Sequence, residues 1–212
     1  HLYDHLKENP KMMVPKRTYL FGGKAAPGYY TAKQIIRLIN DVAAKVNKDV
    51  EIEDRLRVLF VTNYGVSSSE KIIAASEISE HISTAGTEAS GTSNMKFSLN
   101  GCILLGTHDG ATIEIGEEVG SENIFTFGMK ANDVRHLRAS GYNSQQIYNE
   151  NSRVKNVLDL VGSGLFNPEE PQRYRELVDS LIHNDHYLIL ADFDAYAACQ
   201  ELVGKTYQDI PT

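Results

Sequence analysis

Residues 17–62 read RTYLFGGKAAPGYYTAKQIIRLINDVAAKVNKDVEIEDRLRVLFVT, and the spacing of apolar residues in this stretch decides the fold. RTYLFGG, at 17–23, is a short apolar run closed by two glycines, the pattern of a buried strand ending in a ligand-facing loop. From Thr31, which reads as a helix N-cap, the residues Ile35, Ile36, Leu38, Ile39, Val42, Ala43 and Val46 recur at helical spacing. No Pro or Gly interrupts them up to Asn47. LRVLFVT, at 56–62, packs Leu56, Val58, Leu59, Phe60 and Val61 into a near-continuous run, as strands covered on both faces do. The result is a strand, helix, strand unit.

The alternation continues. NYGVSSSEKIIAA (63–75) supplies a polar turn, a Ser cap followed by Glu70, and a short helix from about Ser68 to Ala75. A short strand is expected near EHIS (80–83), and a helix carrying Met95, Lys96, Phe97 and Leu99 before the Asn100-Gly101 pair that suits a helix end. CILLGT (102–107) is a further buried strand, HDGATIEIGEEVG (108–120) a loop and helix, and NIFTFG (123–128) one more strand, after which the pattern is helical. Such alternation predicts an α/β fold, a Rossmann-like parallel sheet with flanking helices. Its ligands belong at the carboxyl ends of the strands, in the loops GGKAAPGYY, NYGVSSS, TAGTEASGTSN and THDGA.

Composition narrows the function. With 42% apolar and 23% charged residues in 212, the chain is an ordinary folded domain. Its net charge of −7, without a basic run, argues against nucleic acid as a partner. No apolar stretch reaches the roughly 18 residues that cross a bilayer, so no membrane partner is expected. The N-terminus HLYDHLKENP lacks the apolar region of a signal peptide, which points to the cytoplasm, or to a plastid in a plant or alga. The chain starts on a polar, helix-like segment without an initiator Met, and is expected to be a piece of something longer. Cys102 and Cys199 read as reduced core thiols, and His183, Asp185 and His186 in HNDH as helix capping or polar residues at the surface, so no metal is expected. GGKAAPG lacks both nucleotide phosphate-loop patterns, and GVSSSE lacks nucleophile-elbow spacing.

Residues 83–101, STAGTEASGTSNMKFSLNG, carry the densest chemistry. Thr87, Ser90, Thr92 and Ser93 cluster hydroxyls, Gly86 and Gly91 let backbone amides approach a ligand, and a helix starts directly afterwards. A phosphate near Thr92 and Ser93 suits such a helix start. Lys96 follows among Met95, Phe97 and Leu99, where desolvation would favour the neutral amine that condenses with an aldehyde. An ordinary polar loop with a partly exposed helix lysine fits these residues as well.

EASGTSNMKFSLN, at 88–100, resembles the pyridoxal-phosphate attachment signature of the α-glucan phosphorylases, the glycogen and starch phosphorylase family. HISTAGTEASG, NGCILLGTHDGATIEIGEEVGSENIFTFG, GGKAAPGYY and DRLRVLFVTNYGVSSSEKIIAASEISEHIS resemble the same family, so the likeness runs from about Lys16 to the C-terminus. It implies that residues 1–212 are part of the C-terminal, cofactor-binding domain of a GT-B glycosyltransferase. The N-terminal domain and the final C-terminal helices would lie outside this chain.

The resemblance further implies that Lys96 attaches pyridoxal 5′-phosphate, that Gly91, Thr92 and Ser93 hold its phosphate, and that Tyr64 and Asn94 lie along it. Glu88, Ser90 and the Gly91 amide would bind sugar hydroxyls, and Lys24 would face the same cleft, with Lys96, Glu88 and Lys24 as the catalytic set. The implied reaction is retaining, reversible phosphorolysis: an α-1,4-glucan end and inorganic phosphate give α-D-glucose 1-phosphate. In that scheme the cofactor's phosphate, next to the substrate phosphate, shares a readily transferred proton, and Lys96 is an anchor. The other half of the enzyme would be a partner in the cleft and the full-length parent a homodimer, while the piece alone would be inactive. Two other readings stand beside this one. Glu80 and Glu88 are spaced as in sugar-nucleotide GT-B transferases, and a remnant of the fold could bind glucan as a non-catalytic scaffold.

Overall fold

The computed structural model describes residues 1–208; residues 209–212, the last of the span assigned to the domain, lie outside the described residues. Two compact units are formed, His1–Tyr64 with Tyr148–His183, and Gly65–Ile147 with residues 184–208.

In the first unit, α1 (Leu2–Glu8) precedes β1 (Arg17–Gly22), α2 (Tyr30–Val46) and β2 (Leu56–Val61). β1 and β2 pair in parallel, with Leu20 opposite Leu59. The intervening α2 is therefore the crossover of the expected strand, helix, strand unit. Its stripe packs as the spacing predicts: Val46 is buried with Leu6, Ile52, Leu56 and Val58, while Ile39, Val42 and Ala43 close over them. Two local expectations change. The strands are not covered on both faces, because Leu20 and Leu59 are each 45% exposed and Phe21 40%, whereas Leu56 and Val58 are buried. The described helices of this unit cover only the face that carries Leu56 and Val58. Helix α2 also starts earlier than expected: its N-cap is Tyr29 and not Thr31, because the Lys33 N–H closes the first helical bond on the Tyr29 carbonyl at 3.2 Å.

Helices α8 (Ser152–Gly162) and α9 (Arg175–His183) complete this unit; α7 (Ser144–Glu150) ends within it. Tyr174, 1% exposed, donates its hydroxyl to Asp41 of α2 at 2.5 Å, and Asn167 donates to the same oxygen at 2.9 Å. Burial, and then the neighbouring Asp41, push the Tyr174 phenol well above its ordinary pKa, so it stays a donor.

The second unit holds α3 (Val66–Ala75), β3 (Ile78–His81), α4 (Ser93–Leu99), β4 (Ile103–Thr107), α5 (Ala111–Val119), β5 (Phe125–Phe127), α6 (Ala131–Ser140) and α10 (Ile189–Gln208). Its three strands are parallel in the order β3, β4, β5, with His81 opposite Gly106 and Thr107 opposite Phe127. β4 is the central strand and, unlike β1 and β2, is buried over Leu104–Thr107. Leu105, fully buried, packs with Phe127 and with Cys199 and Val203 of α10. Cys102 and Cys199 are both buried and unbridged, and burial raises both thiol pKa values. The expected parallel sheet is thus present as two separate sheets, one in each unit.

Helix ends follow local chemistry. α3 begins at Val66 rather than Ser68, because Ser68 Oγ accepts the Gly65 N–H at 2.9 Å from the third helical position. Within HNDH, Asp185 is 2% exposed and accepts the N–H groups of Ile189 (2.9 Å) and Leu190 (2.8 Å), so of the two readings for this residue the structure shows capping and not a polar residue at the surface. Tyr142 adds a third bond to Asp185 at 2.5 Å.

Candidate functional site

Because β3 and β4 are parallel neighbours, the loops that leave their carboxyl ends, 82–92 and 108–110, emerge at the same edge of the sheet. Asp109, buried at 6% exposure, fastens one loop to the other. Its Oδ1 accepts the Gly86 N–H at 2.8 Å, and its Oδ2 accepts the Ser83 hydroxyl at 2.7 Å and the Glu88 N–H at 2.9 Å. Burial alone would raise the Asp109 pKa. The bonds from Ser83, Glu88, Gly86 and Gly110 outweigh that and hold the carboxyl below its ordinary value.

The next residues continue the seam. Ala111 N–H donates to the Ser90 carbonyl at 2.7 Å, and Thr107 Oγ1 donates to the Ser83 carbonyl at 2.6 Å. Gly110 makes this approach possible: its φ is +51°, and a Cβ there would stand 2.5 Å from the Ser90 oxygen. Farther along, Thr84 donates to the Tyr187 carbonyl at 2.6 Å. The loop is therefore pinned through its backbone, while the side chains of Glu88, Ser90, Thr92 and Ser93 are exposed.

Helix α4 follows directly. Asn94 is its buried residue, at 3%, donating to Thr112 at 3.4 Å and accepting its neighbour Met95's N–H at 2.9 Å. Gly91, at φ +78°, sits over the Asn94 amide. The first turn of α4 carries no acidic side chain. Below the helix, His81 is 3.0 Å from Ser79 Oγ through Nε2 and 3.5 Å from Ser93 Oγ through Nδ1, and its ring meets Phe97 edge-on. Burial lowers the His81 pKa.

Lys96 departs from expectation. Its apolar sequence neighbours predict desolvation, yet Lys96 is exposed, as are Leu99 at 87% and Met95 at 39%. A helix buries one stripe only, and in α4 that stripe runs through Asn94, so the apolar neighbours in sequence do not cover Lys96. No described residue pairs with its ammonium, nor with the Thr92 hydroxyl. A free amine one turn from two exposed hydroxyls, with no carboxylate in that turn, fits a group bearing both an aldehyde and a phosphate.

Glu88, Ser90, Gly91, Thr92, Ser93, Asn94 and Lys96 thus share one loop and helix of the second unit. Lys24 and Tyr64 belong to the first. Lys24 is exposed in the loop after β1. Tyr64 follows β2, its ring packed so closely on Gly22 that a Cβ there would stand 2.6 Å from it. Glu80 does not join Glu88. It points to α10, accepting from Tyr196 at 2.8 Å and Gln200 at 2.7 Å. The sequence reading missed Asp109 and His81. For Asp109 the available signal was an acid just past a buried strand and just before a glycine, in GTHDG.

The carbohydrate phosphorylase family model matches residues 1–212. A glycogen phosphorylase of Synechocystis sp. is 52% identical over 209 residues, 99% of this chain and 25% of that protein. The muscle forms of glycogen phosphorylase from Ovis aries and Homo sapiens are 48% and 47% identical over 208 residues, 98% of this chain and 25% of theirs. Parallel strands flanked by helices are the architecture expected of a GT-B-type domain, and the chain belongs to the carbohydrate phosphorylase family. It spans about a quarter of the length of the curated relatives that it matches.

Proposed function

We propose that this chain is the cofactor-binding segment of an α-glucan phosphorylase, which converts an α-1,4-glucan end and inorganic phosphate reversibly into α-D-glucose 1-phosphate with retention. The observation that carries the reading is the exposed Lys96 amine, paired with no described residue and one helical turn from the exposed Thr92 and Ser93 hydroxyls, in a member of this family. Pyridoxal 5′-phosphate, when bound, supplies an aldehyde for attachment and a phosphate able to exchange a proton with the substrate phosphate. Lys96 anchors it, Gly91, Thr92 and Ser93 hold the phosphate end, and Asn94 and Tyr64 line it. Glu88, Ser90 and the Gly91 amide orient the sugar, and Lys24 contributes a positive charge toward the phosphates. Turnover belongs to the full-length, homodimeric parent in the cytoplasm or a plastid, and needs the other half of the enzyme. This segment alone does not turn over.

The test is pyridoxal phosphate titration, borohydride reduction and peptide mapping, with Lys96→Ala as control. Labelling of Lys96 that the substitution abolishes supports the reading. If the full-length protein stays unlabelled and makes no glucose 1-phosphate from glucan and phosphate, a non-catalytic remnant of the fold replaces it.

A further inference from the structure

Glu88 and Ser90 can orient a sugar only if the loop that carries them has one shape, and neither side chain supplies that shape. The Glu88 side chain is exposed, and among the described residues the Ser90 hydroxyl bonds only to the next residue's carbonyl, at 3.2 Å. The loop's order comes from residues 109–111. Asp109 collects Ser83, Gly86 and Glu88 at 2.7, 2.8 and 2.9 Å, and the Ala111 N–H takes the Ser90 carbonyl at 2.7 Å. Between those points Thr87 closes a turn back on Thr84, donating its N–H at 3.0 Å and its hydroxyl at 2.6 Å to the same carbonyl. The carboxylate thus grips the Glu88 backbone and leaves the Glu88 carboxylate free to meet a ligand.

From this geometry we infer that Asp109 is a positioning residue for sugar binding, fixing the backbone from which Glu88 and Ser90 address the sugar hydroxyls. The inference rests on the phosphorylase reading of those two residues. It deepens that reading by assigning a role to a buried residue whose carboxylate is occupied by the loop backbone and the Ser83 hydroxyl. Charge-assisted bonds to Ser83, Gly86 and Glu88 in a buried setting are strong enough to hold a loop that would otherwise sample many conformers. Precise placement of binding groups is what such a shell provides. Among the described residues no hydrogen bond joins Asp109 to α4, so its effect should reach the sugar side of the site and spare Lys96.

The test uses the full-length protein carrying this segment, loaded with pyridoxal phosphate. Three quantities are compared: the dissociation constant for D-glucose by calorimetry, cofactor content by absorbance, and the thermal midpoint. Asp109→Ala is expected to weaken glucose about tenfold or more, with cofactor content unchanged. Asp109→Asn keeps an acceptor toward Ser83 and Glu88 but loses the charge and turns its NH2 toward the Gly86 N–H, so its effect is about two- to fivefold or more. Equal glucose affinity in folded Asp109→Ala and wild type overturns the inference, and so does loss of cofactor in parallel with glucose, which marks a general structural role. If Asp109→Ala does not fold, Asp109→Asn and Ser83→Ala decide: affinity unchanged in both overturns the inference, and selective weakening upholds it. A wild-type protein that binds neither glucose nor pyridoxal phosphate overturns the phosphorylase reading itself, an outcome distinct from a wild type that binds both while the variants match it.

Discussion

Asn47 meets Val58 as an additional strand would: its side-chain amide donates to the Val58 carbonyl at 2.8 Å, and its Oδ1 accepts the Val58 N–H at 3.0 Å. The residue that ends α2 thereby satisfies both backbone groups of a buried position on β2, and ties the crossover helix to the strand it precedes.

Replacing that amide should be costly. Asn47→Ala removes two bonds and leaves two backbone groups without partners, for an expected loss of about 2–3 kcal/mol in chemical denaturation. Asn47→Asp keeps the acceptor but turns a negative oxygen toward the Val58 carbonyl, and should cost at least as much. A loss below about 0.5 kcal/mol in both would mean that the pairing contributes nothing.

Two glycines with left-handed backbone separate strain from packing. At Gly101, φ is +80° and a Cβ would meet open space, so Gly101→Ala should cost about 1 kcal/mol for conformation alone. At Gly110 the same change also drives a Cβ into the Ser90 carbonyl, and the expected loss is about 2 kcal/mol or more, with faster proteolysis of the 83–91 loop. Equal losses at the two sites would show that loops 82–92 and 108–110 are not closely apposed.

His81 should make stability depend on pH. Burial lowers its pKa in the folded state below the ordinary 6.5, so the unfolded chain binds the proton more readily. The stability this confers is present in full above pH 6.5 and is lost as pH falls through the lower, folded value. Thermal midpoints of the wild type should therefore drop on acidification from pH 6.5, and those of His81→Gln should drop less. His108 is also depressed, first by burial and then by Lys130, and accounts for a remaining slope. Parallel pH profiles for the wild type and His81→Gln would refute a role for His81.

The two sheets differ in how they are covered, and leucine truncations should report it. Leu105→Ala, in the fully buried centre of β4, is expected to cost about 2–4 kcal/mol. Leu59→Ala, on a strand of similar sequence but 45% exposed, should cost less than about 1 kcal/mol. Comparable losses would mean that the outer face of β2 is covered after all.

Much of the fold is legible in local spacing. Ile39, Val42 and Val46 mark the packed stripe of α2 one turn apart, and the run at 102–107 reads correctly as a buried strand because α4, α5 and α10 pack against β4. The same kind of run at 56–62 misleads, because an apolar strand looks alike whether one face or two are covered. The site divides in the same way. The order of Glu88, Ser90, Thr92, Ser93 and Lys96 along one loop and helix is visible in the motif. The partner that shapes the loop is not, since Asp109 lies 21 residues beyond Glu88 and carries no periodic signal.

The sequence by itself determined the alternation of strands and helices, their near-boundaries, and the grouping of hydroxyls and an amine in one segment, because each depends on residues within a turn or two. Tertiary structure alone decided that Asp109 grips the Glu88 backbone, that Asn47 completes Val58, that Glu80 serves α10, and that Lys96 is exposed. Those outcomes depend on which buried polar group finds a partner far along the chain, and on which single stripe of a helix the rest of the fold can cover.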